Sequence, residues 1–522
     1  MQTLPTAGDS GLVLAPFRGV RYARDRVSGI ANVTSPPYDV ISAAILDHLL
    51  EADPHNIVRL ILPGAGHGHH PAEGGPGRGE DTRGRGEDTY GRGDSGSGEN
   101  ALGAGEGGGG AGPGHGELAA SRLREWLSSG VLVRDPLPAL YVYEQSGSRW
   151  RQRGLIGLVR VGSPDSAGIL PHENVMPGPV AGRRELMAAT RANLEPIFLV
   201  YDGGPGPAGS AGSAGSAGEG RREAADPGTG VTAAEITDRV ADGRPPLISA
   251  VTDDGVTHRL WCLTDPAEHA AIAADLGGRH AMIADGHHRY AAYRALRDEM
   301  HRAGRGAGSW DYGLAFLVDS AAYPPRLGAI HRVLPGLPPG RAAQRAKGAF
   351  SVRELPGGGG AVGSPDVDHA VSVDSAVSAV SVEGLDGALR ELAGAGRDGT
   401  AFLLGGGAGF HLLSQPDPRQ LAEAMPAGTS PRWCRLDTAV LQELLLARVW
   451  GIKDNERDVL IYHDAADAVR VASGTGGTAV ISNPISFTAV REIAAHGERV
   501  PRKSTSFGPK PRTGFVLRTF ED

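Results

Sequence analysis

HAMIADGHHRYAAYRAL, residues 280 to 296, reads as a buried strand that runs straight into a helix. HAMIA is an apolar run of strand length, and from Tyr290 onward Tyr290, Tyr293, Leu296 and Met300 recur at helical spacing, giving one inward face. Between them lie Asp285, Gly286, His287, His288 and Arg289. Asp285 suits a helix N-cap, and Gly286 permits a tight turn or the close approach of a ligand to the backbone. A helix N-terminus carries unpaired N–H groups and a partial positive charge, so it binds anions. Two imidazoles and a guanidinium in that first turn add donors aimed at phosphate oxygens. Such a cluster opposes the helix dipole unless an anion neutralises it. The plain alternative is a solvated basic cluster at a helix start.

Outward from this segment, short apolar runs alternate with helical patterns. NIVRLILP (56–63), PIFLVYD (196–202), HRLWCLT (258–264) and YGLAFLVD (312–319) read as strands, and ALYVYEQ with RGLIGLVRV as a hairpin. ELAASRLREWLSSGVL (117–132), ELMAATRANL and TAVLQELLLARVWGI read as helices, with AFLLGG and TAVISNP as further strands. The class is α/β, mixed α+β. Three stretches are too rich in Gly, charge and small polar residues to bury a core, namely 64–116, 203–230 and 356–384. His67, His69 and His70 lie in the first, either as a metal-binding tail or as part of a solvated run. The expected organisation is an N-terminal α/β region over 1–202 with a disordered insert at 64–116 and a flexible linker over 203–245. The DGHHR region follows over 246–355, then a low-complexity insert over 356–400 and a C-terminal α/β region over 401–522.

Composition excludes several classes. The 522 residues contain 79 glycines and two cysteines, Cys262 and Cys434, which rules out a disulfide framework or a four-thiolate zinc site. Net charge is −8, so nothing global attracts nucleic acid or an acidic membrane. No apolar stretch is long enough to span a bilayer and MQTLPTAGDSGL lacks the features of a signal peptide, so a cytoplasmic protein is expected. Basic residues are almost all arginine. The four lysines are Lys347, Lys453, Lys503 and Lys510, and two of them fall in RKSTSFGPKPR (502–512). Arg502, Lys503, Lys510 and Arg512 have no acid among them, and Arg and Lys are not interchangeable where a compact ammonium must reach an anion.

Lys503, Ser504, Thr505 and Lys510 thus form a second basic, hydroxyl-bearing loop suited to a phosphate or a substrate carboxylate, expected to close over the 285–289 turn. In LPHENVMPGP, His172 and Glu173 sit on a loop where charged pairs suit acid–base work; alternatively Glu173 pairs with Arg183 or Arg184. Asp39, after two prolines in PPYDV, either holds Mg²⁺ or caps the following helix. His331 and Arg332 are weaker candidates, since an Ile-His-Arg-Val strand can simply alternate faces. No Walker A loop, zincin helix, nucleophile elbow or dinucleotide fingerprint is present, and Cys262, in an apolar strand, reads as inert.

DGHHRYAA is similar to the signature of the ParB/sulfiredoxin-like superfamily, which binds nucleotide phosphates at such a strand–turn–helix. More narrowly, the chain resembles the bacterial domain-of-unknown-function family 1015, through APFRGVRY (15–22), SPPYDVIS (35–42), LPHENV (170–175), ANLEPIFLVYD (192–202), ADGHHRY (284–290), AIHRVL (329–334) and PRKSTSFGPKPRTG (501–514). The C-terminal motif departs from the family in carrying Ser506 and Gly508 where aromatics are usual. The resemblance implies a ParB/sulfiredoxin-like nucleotide-binding core. It also implies ATP- and Mg²⁺-dependent phosphoryl transfer to a small hydroxyl substrate such as free serine, as in the superfamily's free-serine kinases. A nucleotide-binding regulatory or DNA-binding protein of ParB type is the alternative, which the acidic charge balance disfavours, and a non-catalytic scaffold ranks last. On the kinase reading Glu173, His172, Asp285 and His288 are the catalytic candidates. Gly286, His287, His288, Arg289, Lys503, Ser504, Thr505 and Lys510 would bind the nucleotide, and Asp39 and Asp285 the metal.

Overall fold

The computed structural model describes residues 11–64, 114–162, 168–204, 231–355, 384–407, 409–455 and 457–520. Most of the three compositionally biased stretches, with His67, His69 and His70, lies outside the described residues. The class is mixed α/β, as expected.

Two sheets organise the molecule. The larger has nine strands, eight of them in the order Ile169–Leu170, Ala281–Asp285, Ile197–Tyr201, Tyr312–Asp319, Trp150–Arg160, Leu140–Gly147, Thr257–Leu263, Ile248–Val251, with Leu14–Ala15 pairing with Trp150–Arg160. Ala281–Asp285 runs parallel to Ile169–Leu170 and antiparallel to Ile197–Tyr201, with an irregularity between Ile283 and Asp285. The predicted hairpin is present, Tyr141 opposite Ile156 and Gly147 opposite Trp150. Both faces of this sheet are covered, so central strands such as Ile197–Tyr201 are buried at every position. The reading of 56–63 as a strand is corrected. Val58–Ile61 is a short helix, because a run of four to eight apolar residues cannot distinguish a buried strand from a buried helix by periodicity.

The smaller sheet has six strands, all antiparallel, in the order Ser351–Leu355, Phe410–Ser414, Ala401–Gly405, Thr478–Ser482, His331–Leu334, Leu460–Tyr462. It too has a core on each face. These sheets do not follow the expected divisions. The first takes strands from both sides of 203–245, and the second takes strands from both sides of 356–400. Within the expected linker, Ala233–Gly243 is a helix with a full capping box between Thr232 and Glu235. It buries Ile236 and Val240 against the large sheet. Leu385–Asp398, inside the expected insert, is likewise a helix, burying Leu385, Ala388 and Leu392.

Two short strands tie the C-terminal segment down. Arg326–Gly328 pairs with Ser506–Gly508, and Ala192–Asn193 with Arg518–Thr519. They lay residues 501–520 across the large sheet beside the end of Ala281–Asp285.

Candidate functional site

The strand Ala281–Asp285 ends at Asp285, and the helix His287–Arg302 begins two residues later. Gly286, not Asp285, occupies the N-cap position, with φ 93° and ψ 30°, and no side chain caps the helix. A Cβ at Gly286 would meet Arg289 Nε and Ile197 Cγ2, each at 3.1 Å, in a left-handed conformation. Gly286→Ala is therefore expected to cost about 1–3 kcal/mol in urea unfolding; an unchanged midpoint would count against the strain.

Asp285 is free of capping because its carboxylate is engaged elsewhere. One oxygen accepts from Arg289 Nη2 and the other lies 2.6 Å from Lys510 Nζ. The same ammonium lies 2.8 Å from Asp39 Oδ2. Lys510, from the C-terminal loop, is thus seated between the two carboxylates proposed as metal ligands. Burial lowers its pKa, but the charges of Asp285 and Asp39 outweigh that and hold it above the ordinary lysine value. Asp39 in turn is held below the usual carboxylate range, its burial offset by Lys510 and Arg289. Among the described residues no group of three or more His, Cys, Asp or Glu converges as a metal site. The donor set in this arrangement is satisfied by an ammonium and does not fit Mg²⁺.

Arg289 is not a surface phosphate donor. It is buried, donates to the Pro196 carbonyl as well as to Asp285, and lies 6.0 Å from the Tyr38 ring. Nearby is Glu195, which the sequence reading did not single out. Its Oε1 accepts from the Tyr38 N–H at 3.1 Å and from Thr513 Oγ1 at 3.4 Å, while Oε2 lies 3.7 Å from Arg183. One buried carboxylate thereby joins PPYD, NLEP and the C-terminal segment. A charge beside a run of apolar strand residues is costly unless paired, and that signal was available in ANLEPIFLVYD.

The imidazoles are neutral. His172 is fully buried, which pushes its pKa down to about 3; its Nε2 lies 2.9 Å from Thr505 Oγ1 and its ring meets His287 edge-on at 4.5 Å. It supports the C-terminal loop from beneath and has no exposed surface. His287 is also buried, its Nε2 accepting weakly from the His172 N–H at 3.4 Å, and burial with neighbouring cations holds its pKa well below 6.5. His288 is half-buried. Its Nε2 accepts from the Met176 N–H at 3.1 Å, which places its own proton on Nδ1. The basic cluster expected at this helix start is therefore two neutral rings and one internally paired guanidinium.

Glu173 pairs with neither arginine alternative. Arg183 faces Glu195, Arg184 bonds Glu299 at 2.7 Å, and Glu173 Oε1 accepts the Lys503 N–H at 3.1 Å. Burial raises the Glu173 pKa above its ordinary range and the charge of Asp285 adds to that, against the pull of Lys503 and Lys510. Lys503 is exposed, adopts φ 52°, and among the described residues has no carboxylate within 4 Å of its ammonium. Ser504 is buried with its hydroxyl on the Pro501 carbonyl at 2.6 Å, so it shapes the loop. Arg512 is spent on Thr34, at 2.8 Å and 3.1 Å. From the smaller sheet comes a residue that nothing in the sequence marked: His463, exposed, whose pKa burial and the charges of Lys510 and Lys503 push down, with Asp39 acting the other way.

Turn 285–289 and loop 501–512 thus meet, and Glu173, His288, Lys503, Lys510 and the uncapped helix start are gathered at their junction. A family model described as "Protein of unknown function (DUF1015)" matches residues 14–78, 110–210 and 225–439. The chain belongs to that family. The DUF1015 match takes in Asp39, Glu173 and 285–289, and ends before the C-terminal loop that meets them. No curated protein matches the chain. Among solved structures, this DUF1015 chain is similar to a free serine kinase in complex with AMP, at 12% identity over 68% of this chain and 87% of that one, with a TM-score of 0.30. A conserved hypothetical protein from Pyrococcus furiosus is similar at 13%, over 70% and 96%, TM-score 0.30. C-terminally truncated SbnI from Staphylococcus aureus is similar at 11%, over 69% and 85%, TM-score 0.30. Likenesses this distant leave the chemistry to the chain's own residues. No helix among the described residues is long and apolar enough to cross a membrane.

Proposed function

We propose that the junction of turn 285–289 with loop 501–512 is a phosphoryl-transfer site, taking a nucleoside triphosphate such as ATP and a small hydroxyl substrate, with free serine as the candidate acceptor. The observation that carries this reading is the pairing at Glu173 and Lys503: a carboxylate of raised pKa is hydrogen-bonded to the backbone of a residue whose ammonium is exposed and without a carboxylate partner among the described residues. Phosphoryl transfer needs donors for phosphate oxygens and a base at the attacking hydroxyl. The uncapped N–H groups at 287–289 and the His288 Nδ1–H supply neutral donors, and Lys503 supplies charge where it develops. Glu173, with a basicity raised above that of an ordinary carboxylate, is placed to accept the hydroxyl proton. The substrate oxygen then bonds the terminal phosphorus, and the bond from that phosphorus to the bridging oxygen breaks, its electron pair leaving with the nucleoside diphosphate. No step is routed through Mg²⁺, because Lys510 satisfies the carboxylates that would hold it.

Titration of the full chain with ATP by calorimetry, followed by transfer of labelled phosphate to L-serine and other small alcohols, tests the reading. Glu173→Gln is expected to lower kcat by about 10²- to 10⁴-fold with little change in ATP affinity. Lys503→Ala is expected to weaken ATP binding by at least about tenfold, the loss of a charge-assisted contact. Absence of ATP binding by the parent chain at millimolar concentration, or full turnover by the Gln variant, would overturn the proposal.

A further inference from the structure

The Ile-His-Arg-Val strand plays no part in the chemistry above, yet it holds the most completely buried arginine among the described residues. Arg332, in the strand His331–Leu334 of the smaller sheet, has no exposed side-chain surface. Its Nη2 donates to the carbonyl oxygens of Arg502 at 3.2 Å and Lys503 at 3.4 Å. Its Nε and Nη1 have no partner among the described residues, and the nearest carboxylate, Asp454, stands 3.9 Å away with a side chain only 7% exposed and both oxygens without a hydrogen bond. A buried guanidinium held so loosely by its counter-ion contributes little to stability for its own sake. Its well-made contacts go to the backbone of two loop residues about 170 positions away in sequence.

Those contacts complete a grip on one residue. Lys503 has a left-handed φ of 52°, which a lysine holds only where its surroundings impose it. Its N–H is held by Glu173, next to the edge strand of the larger sheet, and its carbonyl by Arg332 of the smaller one. We infer that Arg332 is a positioning residue for Lys503: by fixing the two carbonyls it sets the direction of the exposed ammonium and makes that direction depend on the seating of the smaller sheet against the larger. The cost of burying the charge is then accounted for by the loop, since Nη2 gives its hydrogens to the two carbonyl oxygens at the full reach of an arginine, which the shorter glutamine amide lacks. The inference rests on the phosphate-binding reading for its consequence, but not for the grip itself.

The test uses the full chain with Arg332→Lys and Arg332→Gln, the latter removing the charge while keeping a donor, each alone and combined with Lys503→Ala. Hydrogen exchange of the peptide spanning 501–507, followed by mass spectrometry without ligand, reports the grip. The Lys503 amide is expected to exchange at least about tenfold faster in both Arg332 variants, with the strands of the smaller sheet unchanged. ATP titration reports the consequence: affinity is expected to fall about tenfold in either variant when Lys503 is present and to be unaffected when Lys503 is already alanine. Unchanged exchange at Lys503, or equal losses of ATP affinity in both backgrounds, would overturn the positioning role. A parent chain that binds no ATP would sink the phosphoryl-transfer reading alone, and the exchange measurement would still decide the grip.

Discussion

Arg289→Ala is expected to unfold the larger sheet's end rather than merely weaken a ligand. The guanidinium is buried and joined to Asp285 and the Pro196 carbonyl, and it stands within the electrostatic reach of Glu195, Asp39 and Tyr38. Burial alone would lower its pKa, yet these carboxylates raise it well above the ordinary value, so the charge is a fixed part of the fold. Removing it leaves Lys510 as the cation beside Asp285 and Arg183, at 3.7 Å, as the cation beside Glu195. Stripping one partner from a buried ion pair costs about 3–5 kcal/mol, because the remaining charge stays buried without compensation. Against a typical total of roughly 5–15 kcal/mol, that is a large fraction of stability. Arg289→Lys keeps the charge but cannot make both contacts, and its loss should be smaller. Urea unfolding followed by far-UV dichroism reads the effect. An alanine variant within about 1 kcal/mol of the parent would show that the pair does not support the fold.

What the sequence revealed, and what it hid, follows from the range of the forces involved. The strand–turn–helix at 280–302 was legible because its signals are local: an apolar run, a glycine where φ must be positive, then helical spacing of aromatics. The meeting of loop 501–512 with the same turn was legible for a different reason, a run of unneutralised cations that retains lysine in an arginine-rich chain. The direction in which the turn's side chains point was not legible. His-His-Arg reads as a cationic crown for a phosphate, but burial neutralises the rings and internal carboxylates take the guanidinium. Periodicity reports which residues are inside and not which partners await them there. The pairing of Lys510 with both proposed metal ligands depends on contacts across 225 and 471 positions, which a single chain does not display. The same holds for His463, beside Lys503 and Lys510, and for Arg332, beneath the loop carbonyls, which come there only because the second sheet packs against the loop. Composition also outweighed pattern at Thr232, where a helix with a capping box was hidden beside a Gly-rich stretch.

The neutral imidazoles carry a second large expectation, loss of stability in mild acid. His172, His258 and His331 have pKa values pushed by burial to about 3, about 4 and about 4, and His287 is held well below 6.5 for the same reason. All four are buried in the folded chain. For a histidine whose folded pKa is depressed, the unfolded state binds the proton first, so the stability is present above about 6.5 and is lost as pH falls towards the folded value. Each such group contributes a slope of about 1.4 kcal/mol per pH unit once the unfolded state is protonated, so the four together withdraw about 5 kcal/mol between pH 7.5 and 5.5. Glu173 and Glu195 act in the opposite sense, since burial raises their folded pKa values and the folded state then takes protons that the unfolded state does not. Two such groups offset at most about 1.4 kcal/mol each per pH unit, so the four histidines are ahead below about pH 6.5, where the unfolded rings are mostly protonated. Asp39, Asp53 and Asp254, whose pKa values are depressed, lose their contribution only below about 4 and do not enter this window. Urea midpoints should therefore fall by the equivalent of at least about 1 kcal/mol from pH 6.5 to pH 5.5. His258→Gln should flatten the dependence by about one group's share, because His258 lies between the Tyr143 hydroxyl at 2.8 Å and Thr252 at 3.2 Å, and glutamine can bond both without titrating. A midpoint that rises or stays constant down to pH 5.5 would mean that the rings take protons within the fold, and that the donors at His288 and the supporting pair at His172 and His287 are cationic after all.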